Sequence, residues 1–202
     1  MKQRKIYLLR HGAIEIPNPK PFIGQMELPL TEEGREQMKK SGEWLKDKDI
    51  EGIFTSPSGR CRESAEIVAK ETGEQPIEIL PQFQEINLGK WEGKTVAEVK
   101  RLFPGAYEAR GRNFDQYRPS GGENFQDLLQ IRIHPAFLKL TREKEGNIAI
   151  IAHAGTNRVL LSWLLQMPIK GIFNLDQTYA GVNVIRQNGE KFHVEMINYV
   201  PQ

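Results

Sequence analysis

Short continuous apolar runs alternate along the chain with longer stretches in which apolar residues recur at helical spacing. The runs KIYLL (5–9) and NIAIIAH (147–153) predict buried strands, and GIFTS (52–56) and IEIL (77–80) predict two further short strands. Residues 10–30 hold three prolines between Pro17 and Pro21, then Gly24 and Pro29, and predict a loop. Thr31 is placed to cap a helix running to about Lys46, with Glu32 and Glu33 in its first turn. Pro57 ends the second strand, Ser58 is placed to cap a helix through about Thr72, and Gly73 stops it.

A loop containing QEINLGKWEG follows the third strand, and a short helix is expected over Val96–Leu102. Residues 103–121, with Pro104, Gly105, Gly111, Pro119 and Gly121, predict an irregular lid or substrate loop. Phe125, Leu128, Leu129, Ile133, Phe137 and Leu140 fall on one helical face, which Pro135 should kink or split. TNRVLLSWLLQ (156–166) predicts a helix, and the tail a hairpin turning at Asn188-Gly189.

Strands alternating with helices define an α/β class with a mostly parallel sheet. At 202 residues, without repeat or linker, the expectation is one domain over 1–202. Charge and composition narrow the function. The balance of 28 basic and 26 acidic residues leaves +2, which argues against nucleic acid or an anionic membrane as partner. No apolar run approaches the roughly 20 residues of a membrane span. The basic start MKQRKIYLLRHG has too short an apolar stretch for a signal peptide, and the single Cys61 cannot form an internal disulfide. Both point to the cytoplasm.

The candidate chemistry lies where strands end. In open α/β sheets ligands bind beyond the carboxyl ends of the strands. The first strand delivers Arg10, His11 and Gly12; the second leads through Pro57 to Arg60; NIAIIAH delivers His153 and a new helix. If those strands are neighbours, two histidines and two arginines converge, with helix N–H groups aimed at the same place. Such a pocket suits phosphate, whose oxygens match guanidinium forks. A neutral His11 could attack phosphorus, and Glu85, after the third strand, is a candidate to protonate the leaving oxygen.

Six segments in order then resemble one family. LLRHG, FIGQMELPLTEEGREQ (22–37), FTSPSGRCRESAEIVA (54–69), FQEINLGKWEGKT (83–95), SGGENF (120–125) and IIAHAGTNRVLL (150–161) are similar to the signature stretches of the histidine phosphatase superfamily. The matching branch holds the cofactor-dependent phosphoglycerate mutases and their phosphatase relatives. The resemblance implies a three-layer α/β/α sandwich with a mostly parallel central sheet. It implies His11 as the phosphorylated nucleophile, Arg10 and Arg60 as phosphate clamps, His153 against the phosphoryl group, Glu85 as general acid, and the N–H of Ala154 facing phosphate. It implies neither metal nor organic cofactor. Gln25 and Asn18 join as substrate-binding candidates, although the family's phosphate-binding Asn position holds Pro17, one residue before Asn18. Two further departures are HGAIE in place of HGET or HGQS, and Glu27 in place of Asp.

Only 67 residues separate Glu85 from His153, fewer than in the mutases this branch contains. That favours a phosphomonoesterase acting on a small phosphate ester, with α-ribazole 5′-phosphate as one candidate substrate. The alternatives are phosphoglycerate mutase-type transfer and a catalytically weak phospho-ligand-binding module. The oligomeric state is not legible.

Overall fold

A computed structural model describes residues 3–73 and 75–202; the first two residues of the basic amino-terminal stretch lie outside it. The elements are β1 (Arg4–Arg10), α1 (Glu32–Leu45), β2 (Ile50–Thr55), α2 (Gly59–Glu71), β3 (Ile77–Ile79), α3 (Val96–Leu102) and α4 (Ala106–Arg112). Then come α5 (Phe125–Asp127), a π-helical segment (Leu128–Ile133), α6 (His134–Glu143), β4 (Asn147–Ala152), α7 (Ala154–Leu164), β5 (Val182–Asn188) and β6 (Lys191–Tyr199).

The strands form one sheet in the order β3-β2-β4-β1-β5-β6. The first four are mutually parallel, while β5 runs antiparallel to β1 and β6 antiparallel to β5. Alternation along each strand feeds two cores. Ile6, Leu8, Ile148 and Ile150 pack on one face against Phe137, Leu140, Val159 and Leu160. Tyr7, Leu9, Ala149 and Ile151 pack on the other against Met38 and Leu45 of α1 and Cys61, Ala65 and Val68 of α2. Both faces are covered, which gives the three-layer sandwich. It also explains why the inner strands read as unbroken apolar runs.

Local expectations fare unevenly. Thr31 caps α1, accepting from the Gly34 N–H at 3.0 Å. Ser58 stands at the α2 N-cap position but its side chain makes no capping bond; Glu27 takes that role instead, accepting from the Gly59 N–H at 2.9 Å. Residues 103–121 are not wholly irregular, since Ala106–Arg112 is helical. Its punctuating glycine, Gly105, adopts a left-handed φ of 76° just before the helix, and Lys100 pairs with Glu108 at 3.0 Å. Pro135 does split its helix. It has no N–H to give and its ring crowds the preceding turn, and the wider π segment lies immediately before α6. The tail hairpin turns one residue later than expected, at Gly189-Glu190, with Asn188 paired to Lys191.

Candidate functional site

β1 and β4 are adjacent and in register through Arg10 and Ala152, so the residues that follow them, His11 and His153, meet side by side. Their rings lie 5.3 Å apart at 66°. β2 ends level with them, its Thr55 opposite Ile151, and α2 then carries Arg60 under the same spot. Arg10, His11, Arg60, Glu85, His153 and Ala154 line one cavity of about 100 Å³, with Ile14, Ile16, Lys20, Ile23, Gly24 and Tyr179 completing its wall.

His11 is 3 % exposed and its Nδ1 lies 2.8 Å from the Gly12 carbonyl oxygen. A carbonyl only accepts, so Nδ1 carries the hydrogen and Nε2 keeps its lone pair. Burial, then the charges of Arg10 and Arg60, hold the imidazole well below its ordinary pKa of 6.5. His11 is therefore a neutral, oriented imidazole whose Nε2 lone pair is free. Gly12 permits a close approach of this segment to α1, since a Cβ there would overlap the Gly34 carbonyl.

His153 is held by its own partners. The Arg60 guanidinium, which only donates, is 3.3 Å from Nδ1, so Nε2 carries the hydrogen and donates to Ser56 Oγ at 2.7 Å. Burial and then the facing His11 hold its pKa well below 6.5 as well. Ser58 Oγ sits 3.5 Å from the same Nε2, where it does more for the site than for the helix. Cys61 is buried 3.5 Å from this ring, and burial raises its thiol to about 12.

The two guanidiniums are anchored at one end and open at the other. Arg60, 2 % exposed, donates to Met26 O at 2.6 Å and Gly24 O at 3.1 Å. Arg10 donates to Gln177 O at 2.6 Å and stacks 3.8 Å over the Tyr179 ring. The Nε atoms of both are buried without a protein acceptor. Buried donors of this kind carry a cost unless something accepts from them.

Glu85 reaches the cavity from the loop after β3. Its Oε1 accepts from Ile86 N at 2.9 Å and Thr156 N at 3.2 Å, and its Oε2 from Gly155 N at 2.9 Å. The first turn of α7 is thus occupied by a side-chain carboxylate. Of the helix N–H groups expected to face phosphate, those of Gly155 and Thr156 are taken. That of Ala154, at the first helical position, has no partner within the helix. A Cβ on Gly155 would lie 2.5 Å from Glu85 Oε1, so glycine makes room for the acid.

A brace holds the Glu85 loop. Arg132, from the π segment, pairs with both oxygens of Glu123 at 2.6 and 2.7 Å and donates to the carbonyls of Gln82, Gln84 and Glu85 at 2.6, 3.0 and 3.3 Å. Glu123 also accepts from Asn87 N at 2.9 Å.

Two expected substrate contacts are placed elsewhere. Gln25 gives its side-chain amide to Glu85 O at 2.9 Å and belongs to the support of the loop. Asn18 is exposed and does not line the cavity, although Ile16 and Lys20 on either side of it do. Sequence reasoning missed Ser56, Gln177, Tyr179, Lys20 and the three isoleucines. Their types are ordinary; Ser56 arrives directly after β2, and only the folding of the 13–30 and 175–181 loops brings in the others. No residue of 103–121 lines the cavity; Tyr107 packs near Phe22, the neighbour of Ile23.

A cationic cavity around a neutral, oriented histidine at the ends of three parallel strands suits a phosphoryl-handling α/β enzyme. The sequence profile of the Histidine phosphatase superfamily (branch 1) matches residues 6–200, and the chain belongs to that family. It is 29 % identical over 176 residues to the glucosyl-3-phosphoglycerate phosphatase of Mycolicibacterium vanbaalenii, covering 84 % of this chain and 77 % of that protein. It is 27 % identical over 171 residues to the adenosylcobalamin/alpha-ribazole phosphatase of Salmonella typhimurium, covering 84 % of each. Among solved structures, YhfR of Bacillus stearothermophilus superposes with a TM-score of 0.86 at 29 % identity, covering 96 % of both chains.

Proposed function

We propose that this histidine phosphatase hydrolyses small phosphate monoesters without a metal, through a phosphohistidine on His11. The observation that carries the reading is the Nδ1 contact of His11 with Gly12 O at 2.8 Å, which leaves Nε2 as the lone-pair nitrogen in a cavity lined by Arg10 and Arg60. In the first step Nε2 bonds to phosphorus and the ester P–O bond breaks, its electron pair leaving with the alcohol oxygen. Arg10, Arg60 and the Ala154 N–H take up charge on the three equatorial oxygens. The leaving oxygen receives a proton from Glu85. Oε2, which accepts a single N–H, has more room to carry that proton than Oε1. In the second step Glu85 takes a proton from water, the water oxygen bonds to phosphorus, and the P–N bond breaks to release phosphate.

His153 orients the floor through Arg60 and stands beside the transferred group. The relatives' names make α-ribazole 5′-phosphate and glucosyl-3-phosphoglycerate natural first substrates to assay. The buried, unpaired Cys61 suits a reducing cytoplasm. The test is phosphate release from an ester panel, with and without EDTA, beside 3-phosphoglycerate isomerisation. Release unaffected by EDTA is expected. Fast isomerisation with little release would make the protein a mutase, and tight phospho-ligand binding with no turnover would make it a binding module.

A further inference from the structure

The cavity has two chemically distinct parts. Its floor is the cationic set already described. Its wall is built from Ile14, Ile16, Ile23, the Tyr179 ring and the backbone of Gly24, with Lys20 exposed at the rim. Ile14 is fixed there by a backbone bridge to Leu30, which closes the loop carrying all three isoleucines, and it is only 7 % exposed. Tyr179 is committed by its face to Arg10, 3.8 Å away, and it also lies 5.7 Å from the His11 ring. Once Arg10, Arg60 and the two histidines serve the phosphoryl group and Glu85 the ester oxygen, the wall offers little to hydroxyl groups. A polyol pressed against it would lose water and meet methyl groups, leaving polar atoms unpaired. An apolar or aromatic group would lose only unfavourable contact with water.

Resting on the phosphatase reading above, we propose that the alcohol part of the substrate presents an apolar or aromatic face to Ile14, Ile16 and Ile23. The substrate class is then a monophosphate of a lipophilic or aryl-bearing alcohol, as opposed to a phosphate of a bare polyol or of a small hydroxy acid. The three isoleucines set that choice, and Lys20 is a rim charge that does not read a second anion.

The experiment compares kcat/KM for benzyl phosphate, sn-glycerol 1-phosphate and 3-phosphoglycerate. Benzyl alcohol and the glycerol primary hydroxyl are leaving groups of similar basicity, so their difference reports on the wall more than on bond breaking. Benzyl phosphate should lead glycerol phosphate by at least about tenfold, the scale expected when an apolar pocket buries a ring face. Ile16→Asn and Ile23→Asn, at half-exposed positions that the fold tolerates more readily than Ile14, should each shrink that ratio at least about threefold. Equal or faster turnover of glycerol phosphate, or a ratio unmoved in both variants, overturns the proposal while leaving the phosphatase intact. Preference for 3-phosphoglycerate also overturns it and assigns Lys20 to a second anion. Failure to release phosphate from any ester, p-nitrophenyl phosphate included, instead removes the phosphatase reading and the proposal with it.

Discussion

The N–H of Gly155 donates to Oε2 of Glu85 at 2.9 Å across 70 residues of sequence. The helix that follows one site histidine thereby positions the acid delivered by a distant loop. Adding a methyl at Gly155 should push the carboxylate off that turn, since the new Cβ would stand 2.5 Å from Oε1. Gly155→Ala is expected to lower kcat for alkyl phosphates by about 10²-fold, the usual scale of a general-acid contribution. It should affect p-nitrophenyl phosphate, whose leaving group needs little protonation, at least about tenfold less. Glu85→Gln should show the same asymmetry, and equal losses on both substrates would remove Glu85 from the acid role.

The brace of Arg132 and Glu123 makes a separate prediction. Each side chain is only 19 % exposed, and three loop carbonyls depend on the guanidinium. Arg132→Met should cost about 3 kcal/mol, because Glu123 is left partly buried without its cation. Arg132→Lys keeps a charge but not the fork and should recover part of the stability. Both should widen the gap between good and poor leaving groups, a change that loss of stability alone would not produce. Urea midpoints beside a leaving-group series check the two effects.

The buried imidazoles set a pH dependence. His11 and His153 are both held well below 6.5, by burial first and by neighbouring cationic and imidazole groups second. The unfolded chain takes up protons below pH 6.5 that the folded chain refuses. Stability is thus fully present above 6.5 and falls as pH drops below it. With both rings neutral when folded, the slope can approach roughly 3 kcal/mol per pH unit. Denaturant midpoints at pH 7, 6 and 5.5 measure it, and His11→Asn should reduce the slope. The resonances of the His11 and His153 imidazoles should titrate in the same sense, with no midpoint near 6.5. A flat stability profile, or a His11 midpoint at 6.5 or above, would contradict the neutral nucleophile.

Cys61 stands against His153 and yet should be chemically silent. Its thiol is pushed up to about 12 and wholly buried, and the thiolate is the reactive form. Treatment of the folded protein with N-ethylmaleimide should leave activity unchanged and Cys61 unlabelled, whereas the urea-unfolded chain labels fully. Rapid labelling of Cys61 in the folded protein would show that its thiol is reactive and reachable there, contrary to this expectation.

The part of this site legible in the sequence is the part carried by strand ends. An apolar run that stops at Arg10-His11, and another that stops at His153, place their side chains by local order alone once the strands are neighbours. Glu85 was legible as a candidate from its place after the third strand and again by family resemblance, but its seat on α7 was not, because that contact joins residues far apart in sequence. Ser58 has the right type for a cap and the right place, and still the longer Glu27 wins the Gly59 N–H from another loop. Helix α4 was obscured by Gly105 and Gly111, which punctuate in sequence but flank or join a short helix held by neighbours. Asn18 and Gln25 show the same limit. A loop residue's type says what it can bond, and the fold of the loop decides what it meets.

The most direct measurement is the identity of the phosphorylated residue. Turnover of a ³²P-labelled ester, quenched in alkali and mapped by peptide mass spectrometry, should place acid-labile, base-stable phosphate on His11. The His11→Ala protein should take up none and release no phosphate. Label on His153 or on any other residue, or sustained hydrolysis by His11→Ala, would contradict attack by the His11 imidazole.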